Sequence, residues 1–226
     1  IYERGHIPIL TGGTGFYIQA VLKDIDFTEN DDNSEYRKQL EELGMEKGAE
    51  HLHNMLKEID PTSAEAIHAN NIKRVIRALE FHKQTGRKIS EHNEEERQKE
   101  SPYNFVYFVL NNDRQVLYER IEKRVDIMLE QGLIKEVEAL YNEGYDSNLV
   151  SMQGLGYKEI LAFLKGECTL EEAIYILKRD TRHFAKRQLT WFKREKEVTW
   201  VNKNEFDSEE DILPFMTNIL KDKGIM

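Results

Sequence analysis

The pattern of apolar and polar positions predicts that short strands alternate with amphipathic helices. The apolar run at residues 7–10 is too short for a helix, and we interpret residues 7–11, 104–110 and 198–201 as strands. The first two are nearly continuous apolar runs, which is typical of strands covered on both faces of a parallel sheet. The pattern therefore predicts an α/β fold with a parallel sheet in its core.

Helical patterns fill most of the chain between the first two predicted strands. Two of them span residues 34–44 and 46–58, and Asp60 followed by Pro61 indicates the start of a third. The next helix runs from an Asn cap to Gly86, where glycine ends it. The charge run SEHNEEERQKES is predicted to be an exposed loop or linker. We therefore interpret residues 25–101 as a helical insertion in an α/β core formed by residues 1–24 and 102–226.

Further helices are predicted after the second strand. One follows Asp113 and carries an apolar stripe with a period of 3.6 residues. A second extends from Leu133 to about residue 142, and a third follows the glycine-punctuated stretch SMQGLGYKEI. A capping box of Thr169 and Glu172 predicts the start of the last one. Three strands are few for a parallel sheet, and the opening IYERGH resembles the end of a helix. We therefore expect the sequence to be a fragment whose N-terminal strands precede Ile1.

The stretch PILTGGTGFY predicts a strand, a tight glycine turn and then a helix. Such a turn leaves backbone N–H groups free at the N-terminus of a helix, where an anion is favoured. The stretch matches neither the phosphate loop G-x-x-x-x-G-K-[ST] nor the dinucleotide loop G-x-G-x-x-G. A purely structural turn explains the glycines equally well, because glycine readily adopts positive φ.

Composition and charge narrow the choice of function. No apolar run reaches 18 residues, so no membrane span is predicted. The single Cys168 excludes an internal disulfide framework and a multi-cysteine zinc site, and favours a reducing, cytoplasmic setting. The net charge is −10, yet residues 178–194 carry 7 basic and 1 acidic residue. A nucleic-acid phosphate responds to such a local patch rather than to the global charge.

Two groups of basic residues are candidates for binding phosphates. Arg120 and Arg124 lie four apart on one predicted helix, where guanidinium groups can clamp phosphoryl oxygens; the alternative is a surface pairing with Glu119 and Glu122. Lys73, Arg74 and Arg77 project from another helix, toward a nucleic-acid backbone or simply as an exposed cationic face.

The predicted C-terminal helix mixes basic and aromatic side chains. Arg179, Arg182 and Lys186 form one stripe, with Arg187 beside it and aromatic residues interleaved. This mixture suits RNA, which is recognised through backbone charge and base stacking, although the aromatic rings alone are also typical of a core. The histidines show no zinc-site spacing, and no G-x-S-x-G nucleophile motif is present.

Five motifs together resemble one family, the tRNA dimethylallyltransferases, also called tRNA isopentenyltransferases. They are PILTGGTGFYIQAVL, DPTSAEAIHANNIKRVIRALEFHKQTG, RIEKRVDIMLEQGLIKEVEAL, GLGYKEILAFLKGE and TRHFAKRQLTWFKRE. They occur in the family's order and cover nearly the whole chain. The resemblance implies a core like that of P-loop NTPases with an inserted helical domain. It also implies transfer of a dimethylallyl group from dimethylallyl diphosphate to the N6 amine of an adenosine next to the anticodon of tRNA.

The resemblance also implies roles for individual residues. Thr14 would meet the target adenine in the reaction channel, and Arg124, with Arg120 as the next candidate, would bind the allylic diphosphate. The expected tRNA contacts are Thr14, Arg37, Lys73, Arg74, Val75, Ile76, Arg77, Gln153, Gly154, Leu155, Gly156, Tyr157, Lys158, Arg182, Lys186 and Arg187. Mg²⁺ is the expected cofactor, with no ligand assignable in this chain. The family's phosphate loop and its aspartate base would precede Ile1, so residues 1–226 alone are expected to be inactive.

Other classes of function share part of this pattern. A nucleotide kinase of the P-loop class would need the sheet and the arginine-bearing helix but not the basic C-terminal helix. An adenylate isopentenyltransferase would use the same donor without an RNA footprint. A third alternative is an RNA-binding module without activity. The interpretation based on the resemblance predicts a monomeric, cytoplasmic enzyme whose partners are tRNA and dimethylallyl diphosphate, with no membrane contact.

Overall fold

The structure is a computed structural model that describes residues 1–25 and 35–226. These residues form two compact units. One consists of Ile1–Gly15 and Asn104–Met226, and the other of Phe16–Tyr103. The first is called the sheet unit and the second the helical unit. The start of the helix predicted at residue 34 and part of the predicted insertion lie outside the described residues.

A small parallel sheet lies in the sheet unit. Strand β1 (Tyr107–Asn111) pairs with β2 (Val198–Asn202), with Tyr107 opposite Val198. Val109 and Val201 are buried, and the amide of Asn111 donates to Asn202 Oδ1 at 3.1 Å. Two of the three predicted strands are therefore confirmed, although β1 begins three residues later than predicted and both strands end one residue later.

The predicted strand at residues 7–11 is wrong for this structure. No strand is assigned there, and Ile9 is 84% exposed. A strand exists only when its backbone N–H and C=O groups pair with a neighbour. Within the part of the chain that the structure describes, the β1–β2 pair is the only ladder. An apolar run shows that burial is favourable, but it does not supply the neighbouring strand.

Helices form most of both units. In chain order they are α1 (Gly15–Leu22), α2 (Glu35–Lys47), α3 (Ala49–Ile59), α4 (Pro61–Ala66), α5 (Ile72–Thr85), α6 (Ile89–Gln98), α7 (Arg114–Glu130), α8 (Leu133–Asn142), α9 (Tyr157–Leu164), α10 (Leu170–Phe192) and α11 (Ile212–Asp222). A short 3-10 helix over Val150–Gln153 precedes α9. Helix α11 was not predicted. Among the described residues, no helix is long and apolar enough to cross a membrane.

Local signals in the sequence account for several helix boundaries. Asp60 caps α4, since its Oδ1 accepts from Ser63 N at 3.0 Å, and Pro61 occupies the first helical position. Gly86 ends α5 in a left-handed conformation, with φ 69°. Thr169 and Glu172 form the predicted capping box of α10. These predictions are confirmed because each depends on residues a few positions apart.

Each unit has its own apolar core. In the sheet unit, helices α7 to α10 and the 3-10 helix contribute Val125, Leu133, Val137, Met152, Ile160, Leu161 and Leu177. In the helical unit, the core consists of Leu40, Leu52, Leu56, Ala64, Val75, Ile76, Ala78 and Leu79. Burial of such side chains is the main stabilising contribution, at about 1.5–3 kcal/mol for each large one.

The predicted loop in the charge run SEHNEEERQKES is also wrong, because most of the run forms α6. A tertiary contact supports the start of this helix: the backbone N and Oγ of Ser90 donate to the buried carboxylate of Asp60 at 3.0 and 2.7 Å. Along its length, Lys88 pairs with Glu91 and Arg97 with Glu94, both three residues apart. The charges are therefore the solvated face of a helix rather than a linker.

Candidate functional site

The glycine turn before α1 lies against α10 in the sheet unit. The side-chain amide of Gln188 donates to Gly13 O at 2.7 Å. A methyl group added at Gly15 would meet the Trp191 ring at 2.1 Å, so the backbone and ring are in close contact there. Between these two anchored glycines, Thr14 is exposed. The turn therefore presents the predicted catalytic threonine to solvent from a fixed backbone.

Helix α7 presents Arg120 and Arg124 on its surface, where both are exposed. The alternative pairing with Glu119 and Glu122 does not occur: Glu119 accepts from Gln115, and Glu122 binds Arg182. Arg124 makes no ion pair with any described residue. Arg120 contributes to lowering the pKa of Glu209, after the larger effect of the hydrogen bond from Lys203. Of the two, Arg124 is therefore better able to accept an external anion.

Arg182 of α10 is engaged within the protein. Its guanidinium binds the carboxylate of Glu122, and its central carbon lies 6.0 Å from the centre of the Tyr118 ring. Arg114 approaches the same ring, with its Nε donating to Tyr118 OH at 3.0 Å. These contacts tie α10 to α7. Arg182 would have to exchange Glu122 for a phosphate before it could contact RNA.

Other basic residues of α10 face solvent. Lys186 and Arg187 are exposed, and the Arg187 guanidinium lies 5.6 Å from the centre of the Phe184 ring. Phe184 is itself 41% exposed, whereas Phe192 is buried. The basic and aromatic residues of this helix thus divide between the surface and the core.

The loop before α9 is held by several polar contacts. The Gln153 amide donates to Ser147 O at 2.9 Å, and Gly156 has φ 99°. Gly156 N donates to the buried Glu159 at 2.8 Å. The Tyr157 hydroxyl donates to Glu136, a bond that raises the pKa of Tyr157. Of the predicted loop residues, Leu155 is half-buried, while Gln153 and Gly154 are exposed.

Lys158, the last residue of that predicted run, belongs to an ionic cluster with α10. Its ammonium lies 3.6 Å from Asp180 and 3.3 Å from Glu159. The pKa of Asp180 is lowered, chiefly by the hydrogen bond from Arg179 and further by Lys158. Lys158 is thus already neutralised in part within the sheet unit.

In the helical unit, the predicted basic run on α5 divides by helical periodicity. Lys73, Arg74 and Arg77 are exposed and make no ion pair with a described residue. Val75 and Ile76 are 0% and 2% exposed and belong to the core. Any tRNA contact of this run is therefore restricted to the three basic side chains, because Val75 and Ile76 face the interior.

Arg37 is a predicted tRNA contact that pairs with carboxylates of its own unit. Its Nη2 lies 3.4 Å from Glu80 Oε2, and its Nε lies 3.9 Å from Glu41. Glu80 is only 5% exposed, and its charge helps to raise the pKa of Tyr36, after the larger effect of burial. Arg37 therefore neutralises a buried carboxylate, a structural role that the sequence pattern did not indicate.

The structure brings Thr14, Arg120, Arg124, Arg182, Lys186, Arg187 and the loop before α9 into one unit. Arg37 and the basic run of α5 belong to the other. Among residues 1–25 and 35–226, no group of three or more His, Cys, Asp or Glu side chains is arranged to hold a metal ion. These residues do not fit an all-protein Mg²⁺ site, and the cofactor stays a prediction.

Sequence reasoning missed Gln188. It lies in the motif TRHFAKRQLTWFKRE, yet its partner Gly13 is 175 positions away. No local pattern identifies a glutamine as the residue that binds a distant backbone carbonyl. The one available signal was its spacing of three from Trp191, which places both on one face of α10.

Comparison with known proteins agrees with this architecture. The family model described as IPP transferase matches residues 1–195. The chain is 64% identical over its full length to the tRNA dimethylallyltransferase of Lachnoclostridium phytofermentans and 52% identical to that of Acetivibrio thermocellus. In both cases it spans 72% of the relative's length.

Solved structures are also similar to this chain. The crystal structure of the full-length tRNA isopentenylpyrophosphate transferase from Bacillus halodurans is similar, with 43% identity and a TM-score of 0.65, covering 99% of this chain and 70% of that one. A eukaryotic dimethylallyltransferase acting on tRNA has 29% identity and a TM-score of 0.71, covering 89% of this chain and 52% of that one.

The fold and site thus define a helix-rich α/β protein with a small parallel sheet and a glycine turn fixed against a basic helix. The chain is therefore of the same class as the prenyl-transferring enzymes with which it has just been compared. The chain belongs to the IPP transferase family.

Proposed function

We propose that this protein transfers a dimethylallyl group from dimethylallyl diphosphate to the N6 amine of an adenosine next to the anticodon of tRNA. The observation that carries this proposal is the 64% identity, over all 226 residues, to a protein named tRNA dimethylallyltransferase. Identity at that level over the whole chain means that the two chains share a fold.

The exposed charges suit the chemistry of this reaction. The adenine amine attacks the allylic carbon, so a C–N bond forms while the bond from that carbon to the diphosphate oxygen breaks. Diphosphate leaves with the electron pair of the broken bond, and the amine loses a proton. A guanidinium aimed at the leaving group stabilises this transition state more than the ground state. Arg124 is suited to that role because no described side chain neutralises it.

Thr14 is the residue we propose to meet the target adenine. It is exposed between two glycines whose backbones are held by α10. A base stacked in an anticodon loop must leave the stack to reach an enzyme's reacting atoms, as in other base-modifying enzymes. A fixed turn offers such a base a contact that needs little reorganisation.

We further propose that residues 25–101 form an inserted tRNA-contacting domain and that the remainder belongs to a core like that of P-loop NTPases. Lys73, Arg74 and Arg77 support the first part, because they are exposed and pair with no carboxylate among the described residues, and phosphates are attracted to uncompensated cations. Lys186 and Arg187 are the corresponding candidates in the sheet unit. Arg37 and Arg182 are weaker candidates, because each already binds a carboxylate.

The deciding experiment supplies the full-length gene product with dimethylallyl diphosphate, Mg²⁺ and either unmodified tRNA or AMP. We expect prenylated adenosine in tRNA and none in AMP. Transfer to AMP instead would favour an adenylate isopentenyltransferase. Phosphoryl transfer from ATP to a nucleotide, without prenyl transfer, would favour a kinase. Binding of tRNA with no product in any reaction would leave an RNA-binding module.

A further inference from the structure

We propose that Gln188 is a positioning residue that holds the glycine turn, and thereby Thr14, in the orientation needed for prenyl transfer. The proposal deepens the proposed function and rests on it, because it assigns Gln188 a part in the same reaction. Gln188 acts through the backbone carbonyl of Gly13 rather than through the substrate.

The hydrogen bond between Gln188 and Gly13 is well formed. Nε2 lies 2.7 Å from Gly13 O, within the normal range for an N–H donor and a carbonyl acceptor. A carbonyl oxygen can only accept, so the side-chain NH₂ group must face it. The bond joins positions 175 apart, and it therefore fixes the turn against α10 rather than stabilising either segment locally.

Helix α10 lies close to the backbone on both sides of Thr14. A Cβ at residue 13 would lie 2.1 Å from Gln188 Nε2, and a Cβ at residue 15 would lie 2.1 Å from the Trp191 ring. Gln188 and Trp191 are three residues apart and so lie on one face of the helix. Two contacts that flank Thr14 restrict both ends of its backbone, and the threonine between them has little freedom to shift.

Helix α10 is itself well anchored. Leu177 is 2% exposed in the core of the sheet unit, and Arg182 binds Glu122 of α7. The helix begins with a complete capping box at Thr169. A turn that is bonded to such a helix is held in a fixed position relative to the helix. A displacement of about 1 Å at a reacting group can reduce turnover on the order of 100-fold, so loss of this attachment has a measurable cost.

The first test replaces Gln188 in the full-length gene product by methionine, which has a similar length and no hydrogen-bond donor. Gln131→Met is the matched control, because Gln131 is exposed in the same unit and lies outside the site. We expect kcat of Gln188→Met to fall about 10- to 100-fold. The dissociation constants for tRNA and dimethylallyl diphosphate should stay within about twofold, and the control should behave as wild type.

Two results of this test would overturn the proposal. An unchanged kcat would show that the bond does not position the turn. Weaker tRNA binding at a wild-type kcat would make Gln188 an RNA contact, like the one proposed for its neighbour Lys186. Thermal unfolding of each variant identifies general loss of structure, and if Gln188→Met does not fold, the test passes to Gln188→Glu.

Gln188→Glu separates the hydrogen bond from the shape of the side chain. An ionised carboxylate accepts only, and it would repel Gly13 O, whereas a protonated carboxyl group donates again. The kcat ratio of Gln188→Glu to wild type should therefore rise as the pH falls from 8 to 5, toward the usual glutamate pKa of about 4.3. The ratio for Gln188→Met should be flat. Equal, flat ratios for both variants would count against the hydrogen bond.

A measurement without substrates distinguishes failure of this proposal from failure of the proposed function. Amide hydrogen exchange of the peptide covering residues 12–16 should be faster in Gln188→Met than in wild type and unchanged in Gln131→Met. If wild type does not prenylate tRNA, the proposed function fails, yet faster exchange would still show that Gln188 holds the turn. Unchanged exchange would overturn the positioning role itself.

Discussion

The guanidinium of Arg37 lies 3.4 Å from the carboxylate of Glu80, a residue only 5% exposed. A buried carboxylate is costly unless it is paired, and Arg37 of α2 supplies such pairing to this residue of α5. An arginine that resemblance assigns to tRNA binding therefore has a structural task as well. This relationship leads to a prediction about stability.

Arg37→Ala should lower the free energy of unfolding by about 1–3 kcal/mol, because it leaves the Glu80 carboxylate buried without this partner. The control is Arg74→Ala, which removes an exposed arginine of the same unit and should change stability by no more than about 0.5 kcal/mol. Urea denaturation of both variants measures the difference. Equal stabilities would show that the pairing of Arg37 and Glu80 contributes nothing.

Arg124→Ala should weaken binding of dimethylallyl diphosphate and slow turnover. Loss of a charge-assisted clamp on a leaving group costs on the order of 2–4 kcal/mol in the transition state. Lys123→Ala, which removes the adjacent exposed cation, is the matched control and should retain normal kinetics. Steady-state assays on the full-length gene product compare the two. If Arg124→Ala also had normal kinetics, Arg120 would be the next candidate for the clamp.

Arg74→Ala and Lys186→Ala should each weaken tRNA binding and make it less sensitive to salt. A lost phosphate contact flattens the slope of log K against log salt concentration by roughly 0.7–0.9. Affinity for dimethylallyl diphosphate should stay nearly unchanged. Salt titrations of tRNA binding measure the slopes, with Lys221→Ala on α11 as the control cation. Slopes equal to wild type would restrict RNA recognition to the loop before α9 and the glycine turn.

Asp60 should make the helical unit sensitive to acid. Burial opposes ionisation of this carboxyl group, but hydrogen bonds from Ser63 and Ser90 outweigh burial and lower its pKa. A lowered folded-state pKa means that the stabilisation is complete above the unfolded value of about 3.9 and is lost as the pH falls through the folded value. The contribution is therefore constant from pH 5 to 8 and declines below about pH 4.

Asp60→Ala tests this directly, since it removes the cap of α4 and the acceptor for Ser90 at once. We expect a loss of about 2–4 kcal/mol at neutral pH, from the cap and from the donors left without a partner. The difference from wild type should shrink below pH 4. A difference that stayed constant down to pH 2 would contradict the role of the ionised carboxylate.

Short-range features of this protein were predictable from its sequence. The capping box of Thr169 and Glu172, the Asp60–Pro61 start of α4 and the end of α5 at Gly86 were all predicted and are all present. Each depends on backbone groups within one helical turn, where geometry is set by spacing alone. The family itself was also recognisable, because five motifs occur in one order along the chain.

Tertiary structure decided the features that depend on a distant partner. Residues 89–98 became a helix with support from Asp60, which is 30 positions before Ser90, and residues 7–11 formed no strand because a strand requires a neighbour. Arg182 pairs with Glu122, which is 60 positions away, and Gln188 binds Gly13, which is 175 positions away. Sequence spacing determines which side chains share a helix face, whereas folding alone determines what each face meets. The sequence could therefore name the basic residues and the glycine turn, but only the fold distinguished the arginines already paired with carboxylates from those that remain open to a phosphate.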